Sequence, residues 1–223
     1  MFRDDFSDGD DEGWTKTGAW DVIEGEYVQD SGLTNTHYFS TANISGADYS
    51  ADARIRVADT YGTVQGVSLL VRFQDANNFY MCQLRIDKDA LYIAKRVSGS
   101  WALLNSTPYI TNTGVWHSLE CKTEGDRIFA CVNNGSHAAC TEASDSSLGW
   151  GNISLNNYNT KSSFDDVSVE SVNPLPCPYD IDTSGWEEGP TDIWVFAKDE
   201  AGNKAQGFYS FIIDNTPPRA ENS

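Results

Sequence analysis

The stretch FRDDFSDGDDEGW, residues 2–14, is the part of the sequence that decides how the fold is interpreted. Aromatic residues at positions 2, 6 and 14 bracket six acidic residues within positions 4 to 12, and Arg3 is the basic residue beside them. Carboxylates packed this densely repel one another, so the stretch is either a solvated loop or a loop that a cation stabilises. Hard divalent cations such as calcium take about six to eight oxygen ligands from carboxylates, carbonyls and waters.

A second aromatic and acidic motif, FDDVSV, occupies residues 164–169. It alternates apolar and polar residues as a strand does, and it carries an acid pair between apolar neighbours. If the first and last strands of a sheet are neighbours, the acids of the two motifs can share one ion that joins the two ends. We therefore predict that these two segments lie side by side.

The composition indicates a folded and strongly acidic protein. The 223 residues are 39% hydrophobic and 12% aromatic, which suffices for a sizeable core. With 15 Lys and Arg against 33 Asp and Glu, the net charge is −18, which disfavours nucleic acid and anionic membrane surfaces as partners. No apolar run approaches the length of a membrane span, so no membrane insertion is predicted. Because Met1 precedes FRDD directly, without an apolar signal region, we expect a mature or excised segment.

Five cysteines occur, and none has the CxxC spacing of a zinc site: Cys82, Cys121, Cys131, Cys140 and Cys177. Cys131 and Cys140 flank an Asn-Gly hairpin signal, and a disulfide between them would contribute about 2.7 kcal/mol. A two-residue turn would place Cys131 opposite Ala138, so this disulfide requires a bulge or a longer loop. Cys82 and Cys121 lie on apolar faces of predicted strands and either pair or stay free. Cys177 is expected to be left over, and the alternative is that all five cysteines are reduced core residues.

Short alternating segments separated by Gly, Asn, Asp and Ser dominate the chain, and helical periodicity is hard to find. We predict thirteen strands near residues 19–24, 26–30, 36–41, 48–58, 64–73, 78–86, 89–97, 100–107, 115–123, 126–132, 138–142, 149–156 and 163–172. Thirteen strands exceed the roughly seven to nine of an immunoglobulin sandwich. The predicted fold class is all-β, a two-sheet antiparallel jelly-roll sandwich.

A set of motifs distributed over residues 2–172 carries a resemblance to a known family. The motifs are Asp4–Gly9, Gly13-Trp14, Gly18–Val22, Gly25–Tyr27, Tyr49–Val57, Gly66–Tyr80, Gly114–Leu119, Ala143–Asp145 and Phe164–Val169. In this combination the segment resembles the concanavalin A-like, laminin G-like jelly-roll modules attached to many secreted polysaccharide-active and surface proteins. This combination of motifs is specific for the fold but not for the function, since one fold hosts many activities.

The resemblance also implies a structural Ca2+ ion. In β-glucanase-type hydrolases of this fold, calcium lies between an N-terminal acidic segment and an acid of the last strand. By this resemblance, the backbone carbonyls of Asp5 and Gly9 and the carboxylate of Asp165 are expected to bind the ion. Asp8 and Asp166 are further candidate ligands. The alternative is a solvated acidic loop without a metal.

The remainder of the chain has a different character. Residues 173–178 form a Pro-rich linker, 179–218 a separate segment and 219–223 a tail. Residues 179–218 resemble the C-terminal half of bacterial-type immunoglobulin-like repeats, with two clear strands and the motifs DTSG, AKDEAGN and DNTPP. Two strands cannot form an independent sandwich, so this partial immunoglobulin-like segment either packs on the jelly roll, receives strands from another chain, or is disordered or truncated.

Catalytic patterns are missing from the sequence. The Glu-x-Asp-x-x-Glu strand of the related hydrolases does not occur, and the candidate acids Glu24, Glu26, Asp87, Asp89 and Glu120 are not spaced to share one sheet face. The three histidines at 37, 117 and 137 lie in separate segments, and there is no phosphate loop or nucleophile elbow. We therefore predict that the protein is not an enzyme.

Sugar recognition needs aromatic rings that stack on pyranose faces and planar polar groups that bind hydroxyls. The predicted ligand-binding residues on a concave sheet are Arg72, Tyr80, Gln83, Arg85, Trp101 and Tyr158. Arg72 stands out because the strand around it is apolar, and its alternative role is a satisfied structural ion pair. Trp14, Trp20 and Trp116 are interpreted as core residues.

The sequence thus predicts a non-catalytic carbohydrate-binding or adhesion module with a structural calcium site, located outside the cell or at its surface. Its expected partner is a poly- or oligosaccharide. The alternative is a structural subunit of a cell-surface layer or extracellular filament, in which residues 179–218 self-associate by β-strand complementation.

Overall fold

The computed structural model describes residues 2–30, 32, 34–172, 186–198 and 204–213. The chain divides into two compact units, Met1–Pro174 and Leu175–Ser223. The predicted linker, the tail and Cys177 lie outside the described residues. Among the described residues, none forms a helix with the length and apolar character that crossing a membrane requires.

The first unit consists of short strands with one 3-10 turn, Ile86–Lys88. Its strands are β1 (Phe2–Asp4), β2 (Trp14–Lys16), β3 (Trp20–Ile23), β4 (Glu26–Gln29), β5 (His37–Gly46), β6 (Tyr49–Thr60), β7 (Gly66–Asp75), β8 (Asn78–Arg85), β9 (Ala90–Val97), β10 (Ser100–Pro108), β11 (Trp116–Glu124), β12 (Arg127–Asn133), β13 (Ala138–Ser144), β14 (Gly151–Tyr158) and β15 (Thr160–Ser171). All thirteen predicted strands have a counterpart here. The prediction missed β1 and β2, whose three residues are too few to show an alternating pattern.

These strands form two antiparallel sheets that face each other. The eight-stranded sheet has the order β13-β12-β11-β6-β15-β4-β3, with β1 also on β15, and the seven-stranded sheet has the order β10-β9-β8-β7-β14-β5-β2. β1 pairs with β15 so that Asp4 lies opposite Val167. The prediction that the first and last strands of this unit are neighbours is therefore confirmed, as is the all-β sandwich.

The core lies between the two sheets because the strands alternate buried and partly exposed residues. In β6 the inward residues are Tyr49, Ala51, Ala53, Ile55 and Val57, each less than a tenth exposed. The Cys82–Cys121 disulfide crosses this core from β8 to β11 and thereby links the two sheets. It closes a loop over a sequence separation of 39 residues. Chain entropy makes such a loop closure worth about 4 kcal/mol.

The second disulfide, Cys131–Cys140, joins the neighbouring strands β12 and β13. The two cysteines lie directly opposite each other, and Asn133 lies opposite Ala138. The connection is therefore the longer loop that the pairing requires, not a two-residue turn at Asn134-Gly135.

Arg72 is the largest polar side chain in the interior, 2% exposed. Its Nε donates to the Ala47 carbonyl at 2.9 Å and its Nη1 to the Leu148 carbonyl at 2.8 Å. Its Nη2 donates to the Gly125 carbonyl at 2.6 Å and to Asp48 Oδ1 at 3.2 Å. The guanidinium thus joins three loops at one end of the sandwich, which is the structural role that the sequence left open as its alternative.

The second unit contains two strands, β16 (Gly189–Lys198) and β17 (Lys204–Ile213), which pair from Gly189 opposite Ile213 to Lys198 opposite Lys204. The two strands expected in this segment are present. The described residues contain no further strand of this unit, so the immunoglobulin-like resemblance stays a prediction.

Candidate functional site

A groove of about 320 Å³ lies on the outer face of the seven-stranded sheet. Strand register explains which side chains reach it. Asn156, Ser68, Gln83 and Tyr92 are paired across β14, β7, β8 and β9 and therefore share one face. One step along the same face, His37, Tyr158, Gly66 and Arg85 form a second row across β5, β14, β7 and β8. We call this cavity the groove; its main lining residues are His37, Gln65, Gly66, Met81, Gln83, Arg85, Tyr92, Trp101 and Tyr158.

Aromatic rings from opposite parts of the sheet meet over the groove. The His37 ring lies 5.2 Å from the Trp101 ring and 4.5 Å from the Tyr158 ring, measured between centroids. His37 is on β5 and Trp101 on β10, and four strands separate these two in the sheet. In a flat sheet their backbones would be about 24 Å apart, so the contact shows that the sheet curls strongly around the groove. Trp101 remains 45% exposed, which leaves ring surface open to a ligand.

The floor beside these rings is a second apolar cluster, separate from the main core. It consists of Phe39, Leu70, Phe73, Phe79, Met81 and Ala94, all less than a tenth exposed. Phe79 packs edge-on against Trp101 at 5.5 Å, and the guanidinium of Arg96 lies 5.3 Å from the centre of the Trp101 ring. The exposed indole is thus held in place by two neighbours.

Gln83 supplies a polar side chain to the groove. Gln83 is 4% exposed, and its side-chain amide makes no hydrogen bond with any part of the chain that the structure describes. The neighbouring Ser68 hydroxyl is also without a partner among these residues. Gly66 makes room for Gln83, because a Cβ at position 66 would stand closer than 3.0 Å to the Gln83 amide. The nitrogen and oxygen of the Gln83 amide are not among the fully buried atoms without a partner, so the amide is accessible from the groove and can hydrogen-bond a ligand.

Arg85 is fixed at one side of the groove by Asp87. Its Nε donates to Asp87 Oδ1 at 2.6 Å and its Nη2 to Asp87 Oδ2 at 3.3 Å. Burial alone would raise the pKa of Asp87, but hydrogen bonds from Arg85 and from the Gln65 backbone amide lower it. The carboxylate is therefore ionised and holds the guanidinium over the Tyr92 ring, 5.8 Å from its centre.

The structure brings together four of the six predicted ligand-binding residues. Gln83, Arg85, Trp101 and Tyr158 all line the groove. Tyr80 does not, because residues 80 and 83 are an odd number apart on one strand and so point to opposite faces. The Tyr80 hydroxyl instead donates to Asp145 Oδ1 at 2.7 Å inside the sandwich, and burial raises its pKa to about 12. Arg72 is also remote from the groove, since its guanidinium is used by the loops described above.

Two residues that supply rings to the groove were not among the predicted ligand-binding residues, His37 and Tyr92. Tyr92 lies opposite Gln83 in the β8–β9 hairpin, so counting back from the turn at Ile86–Lys88 would have found it. His37 lies beside Tyr158 on β5, and no local feature of the sequence connects these two segments.

The candidate calcium region lies at the edge of β15. β4 pairs with Ser162–Phe164 and β1 with Val167–Val169, so the acids Asp165 and Asp166 fall between the two partners. Arg54 Nη1 lies 3.3 Å from Asp165 Oδ2 and 3.2 Å from Asp166 Oδ2. Burial raises the pKa of Asp165. Arg3 Nη2 lies 3.3 Å from Asp166 Oδ1, and the Asp166 amide donates to Asp165 Oδ1 at 2.7 Å, so a calcium ion would have to compete with these partners for the carboxylate oxygens.

Side chains alone do not form a metal site in this region. Among all the residues that the structure describes, no group of three or more His, Cys, Asp or Glu side chains converges as metal ligands do. Asp5 Oδ1 accepts a hydrogen bond from the Ser7 amide at 3.2 Å, and Asp8 Oδ1 accepts one from the Asp10 amide at 3.3 Å. An ion here would therefore depend on backbone carbonyls such as those of Asp5 and Gly9.

None of the acids considered for catalysis is among the described residues that line the groove. Glu26 is ion-paired with Arg56, and Asp87 with Arg85. Glu24 and Asp89 are in turns with positive φ angles of 54° and 47°. Glu120 lies opposite Asp52 on the outer face of the eight-stranded sheet, away from the groove. No Asp or Glu is among the described residues that line the groove.

Comparisons with known proteins agree on the fold. No protein-family model and no curated protein matches the chain. Among solved structures, the carbohydrate-binding module CBM66 from Bacillus subtilis is 25% identical with a TM-score of 0.63, over 71% of this chain and 96% of that one. The exoplasmic/lumenal domain of VIP36 in its Ca2+/Man3GlcNAc-bound form is 10% identical with a TM-score of 0.57, over 74% and 86%.

Part of a larger protein is also similar to this chain. The GH43 protein BlXynB from Bacillus licheniformis is 14% identical with a TM-score of 0.59, and the match covers 76% of this chain but 39% of that one. The match therefore concerns a part of that protein. Together these structures show that the first unit has the jelly-roll sandwich fold.

Proposed function

We propose that the first unit is a non-catalytic carbohydrate-binding module that holds a poly- or oligosaccharide in the groove. The observation that carries this proposal is the groove itself, where the exposed Trp101, the rings of His37 and Tyr158 and the side-chain amide of Gln83 converge. Aromatic rings bind the apolar faces of sugars, and amide and guanidinium groups bind their hydroxyls. The similarity to the CBM66 module supports the same conclusion.

A binding role without hydrolysis is supported by the chemistry of the groove lining. Glycoside hydrolysis generally uses two carboxyl groups on either side of the scissile bond. The described groove residues provide arginine, glutamine and aromatic side chains, and no carboxyl group.

An extracellular location is supported by the two disulfides, Cys82–Cys121 and Cys131–Cys140. Disulfides of this kind persist in oxidising compartments and are rare in the cytosol. The proposal places the module outside the cell, where polysaccharides are accessible.

The binding proposal is tested with Trp101→Ala in pull-downs on insoluble polysaccharides and in native gels that contain soluble xyloglucan, β-glucan, mannan or fructan. We expect the wild type to bind at least one polysaccharide and Trp101→Ala to bind it at least about tenfold more weakly, as removal of a central aromatic contact does in other complexes. Trp150→Ala is the matched control, because Trp150 is 61% exposed and is not part of the groove lining. Equal loss in both variants, or no binding by the wild type, would contradict the proposal.

We further propose that one Ca2+ ion joins β1 and β15, bound by the carbonyls of Asp5 and Gly9 and by the carboxylate of Asp165, with Asp8 and Asp166 as additional ligands. When bound, the ion would stabilise the contact between the two ends of the unit. The expected result is a melting temperature about 5 °C or more higher in millimolar CaCl2 than in EDTA.

Asp165→Asn should abolish this calcium-dependent increase, whereas Asp21→Asn, an exposed acid on β3, should retain it. The difference between the two melting temperatures is the informative quantity, because Asp165→Asn also alters the ion pair with Arg54. If the wild type melts at the same temperature in both buffers, the region is a metal-free acidic loop.

A second candidate function rests on the β16–β17 sheet. In the part of the chain that the structure describes, these ten-residue strands pair only with each other, which leaves both outer edges open to another strand. A surface-layer or filament subunit could use these edges for β-strand complementation. Light scattering after size-exclusion chromatography distinguishes the two functions, since only a structural subunit should assemble as the concentration of the full chain rises.

A further inference from the structure

His37 occupies a central position in the groove and contacts residues from three strands. Its ring stacks near Trp101 of β10, Tyr158 of β14 and Phe39 of its own strand, with centroid distances of 5.2, 4.5 and 6.0 Å. It therefore links the exposed indole to the floor of the groove. A residue held in this way presents its ring nitrogens in a fixed direction.

The hydrogen-bond network assigns the tautomer of His37. Its Nδ1 lies 3.1 Å from Asn156 Oδ1, and the Asn156 amide nitrogen donates to the Tyr38 carbonyl at 3.0 Å. Because Asn156 uses its nitrogen as donor there, its Oδ1 must accept, and Nδ1 of His37 must carry the proton. Nε2 of the neutral ring is then a hydrogen-bond acceptor, and it has no partner among residues that the structure describes.

The charged side chains around His37 favour this neutral form. Burial lowers the pKa of His37, the hydrogen bond with Asn156 opposes this shift, and the positive charges of Arg96 and Arg85 lower the pKa further. Asp87, the acid nearest to Arg85, is already ion-paired with that arginine. Protonation would therefore add a third positive charge to the groove.

On the basis of the proposed carbohydrate-binding function, we propose that His37 is a specificity-determining residue whose Nε2 accepts a hydrogen bond from a ligand hydroxyl. Gln83, on the other side of the groove, offers both a donor and an acceptor to the same ligand. This arrangement selects ligands with a hydroxyl donor at that position. It also makes binding depend on pH, because a protonated imidazole cannot accept a hydrogen bond.

The tautomer is tested without any ligand by long-range 1H–15N spectra of the histidine rings. We expect His37 to be protonated at Nδ1 at pH 7.5. His117 is a built-in control with the opposite tautomer, because its Nε2 donates to the Asn112 carbonyl at 3.2 Å and its Nδ1 accepts from the Tyr109 hydroxyl at 2.6 Å. A proton on Nε2 of His37 would overturn the inference.

The role in binding is tested in affinity gels between pH 8 and 5.5, with the panel polysaccharide that retards the wild type most. Wild-type affinity should be constant above pH 7 and fall only at a pH below 6.5, the ordinary pKa of histidine, because burial lowers the pKa of His37. His37→Phe keeps a ring but lacks the acceptor, so it should bind about fivefold to tenfold more weakly at pH 7.5. His37→Gln keeps an acceptor and should bind more tightly than His37→Phe, with no loss at low pH.

Control variants separate this inference from the proposed function. His137→Gln, in the exposed β12–β13 loop, should retain the wild-type pH profile, and near-UV circular dichroism verifies that each variant is folded. If Trp101→Ala loses binding while both His37 variants keep wild-type affinity and pH profile, the inference about His37 alone is wrong. If no polysaccharide retards the wild type at pH 7.5, the proposed function fails and the inference fails with it.

Discussion

Gly66 and Gly151 show how single residues without a side chain shape this protein. Gly66 lies beneath the end of the Gln83 side chain, whereas Gly151 lies against the backbone of Arg72. A Cβ at either position would come closer than 3.0 Å to its neighbour, but the neighbour is flexible in one case and rigid in the other. We therefore expect substitution of Gly66 to affect the proposed ligand binding and substitution of Gly151 to affect stability.

The two Gly→Ala variants should behave differently. Gly66→Ala displaces the Gln83 amide, so we expect weaker polysaccharide binding with a loss of less than about 1 kcal/mol in the free energy of unfolding. Gly151→Ala forces the main chain of β7 or β14 to shift, and we expect a loss of more than about 2 kcal/mol. Urea unfolding and native affinity gels measure the two quantities. A large destabilisation by Gly66→Ala would show that Gln83 is locked by the fold and not available to a ligand.

Individual strands were predictable from the sequence to the extent that their pattern is local. The strands from β3 to β15 have four or more residues, which is long enough for a strand pattern bounded by turn residues to be visible in the sequence. Tyr80 and Gln83 cannot share a face of β8, because they are three residues apart and side chains in a strand alternate with a period of two. Arg72 has a positive φ of 48° at a register shift between β7 and β8, a local irregularity that a regular pattern does not reveal.

Contacts between elements were predictable only in part. The neighbouring positions of β1 and β15 followed from two similar motifs, whereas the contact between His37 and Trp101 follows from the curl of the whole sheet. Likewise, the sequence left open whether Cys82 and Cys121 pair, because their pairing depends on how β8 and β11 face each other across the core. Long-range geometry of this kind has no signature in a single segment.

The two disulfides join different elements and should contribute unequally to the free energy of unfolding. Cys82–Cys121 links the two sheets over a separation of 39 residues, and Cys131–Cys140 links adjacent strands over a separation of 9. Loop entropy predicts losses of about 4 and about 2.7 kcal/mol, respectively, for the paired Cys→Ser variants. Denaturant unfolding of both double variants checks this order. A smaller loss for Cys82→Ser with Cys121→Ser would mean that core packing, not the covalent link, holds the sheets together.

At the scale of the whole molecule, a net charge of −18 makes acidic residues costly in places where they are buried together. Asp52 and Glu120 lie opposite each other on the eight-stranded sheet. Burial, with the negative charge of Glu120, raises the pKa of Asp52 to about 6. The groove on the other sheet has the opposite character, since Arg85 and Arg96 flank its rings.

Asp52→Asn should therefore stabilise the protein in a pH-dependent manner. A pKa above the ordinary aspartate value means that the folded state binds the proton more tightly than the unfolded state, so Asp52 destabilises the wild type above pH 6 and this penalty disappears as the pH falls toward 4. We expect Asp52→Asn to be more stable by about 1 to 2 kcal/mol at pH 8, and the gain to shrink below pH 6 and to vanish only as the pH falls below about 4, the ordinary pKa of aspartate. Urea unfolding of both proteins across this range gives the difference. A gain that is independent of pH would assign the effect to packing.

The most direct measurement is an NMR titration of the 15N-labelled protein with a soluble oligosaccharide from the polysaccharide that binds best in the affinity gels. If the groove is the binding site, the Trp101 indole and the Gln83 side-chain amide will shift on binding, and the Trp150 and Trp116 indoles will not. Shifts confined to Trp116, which lies against Arg54 and Arg56 on the eight-stranded sheet, would contradict the assignment of the groove.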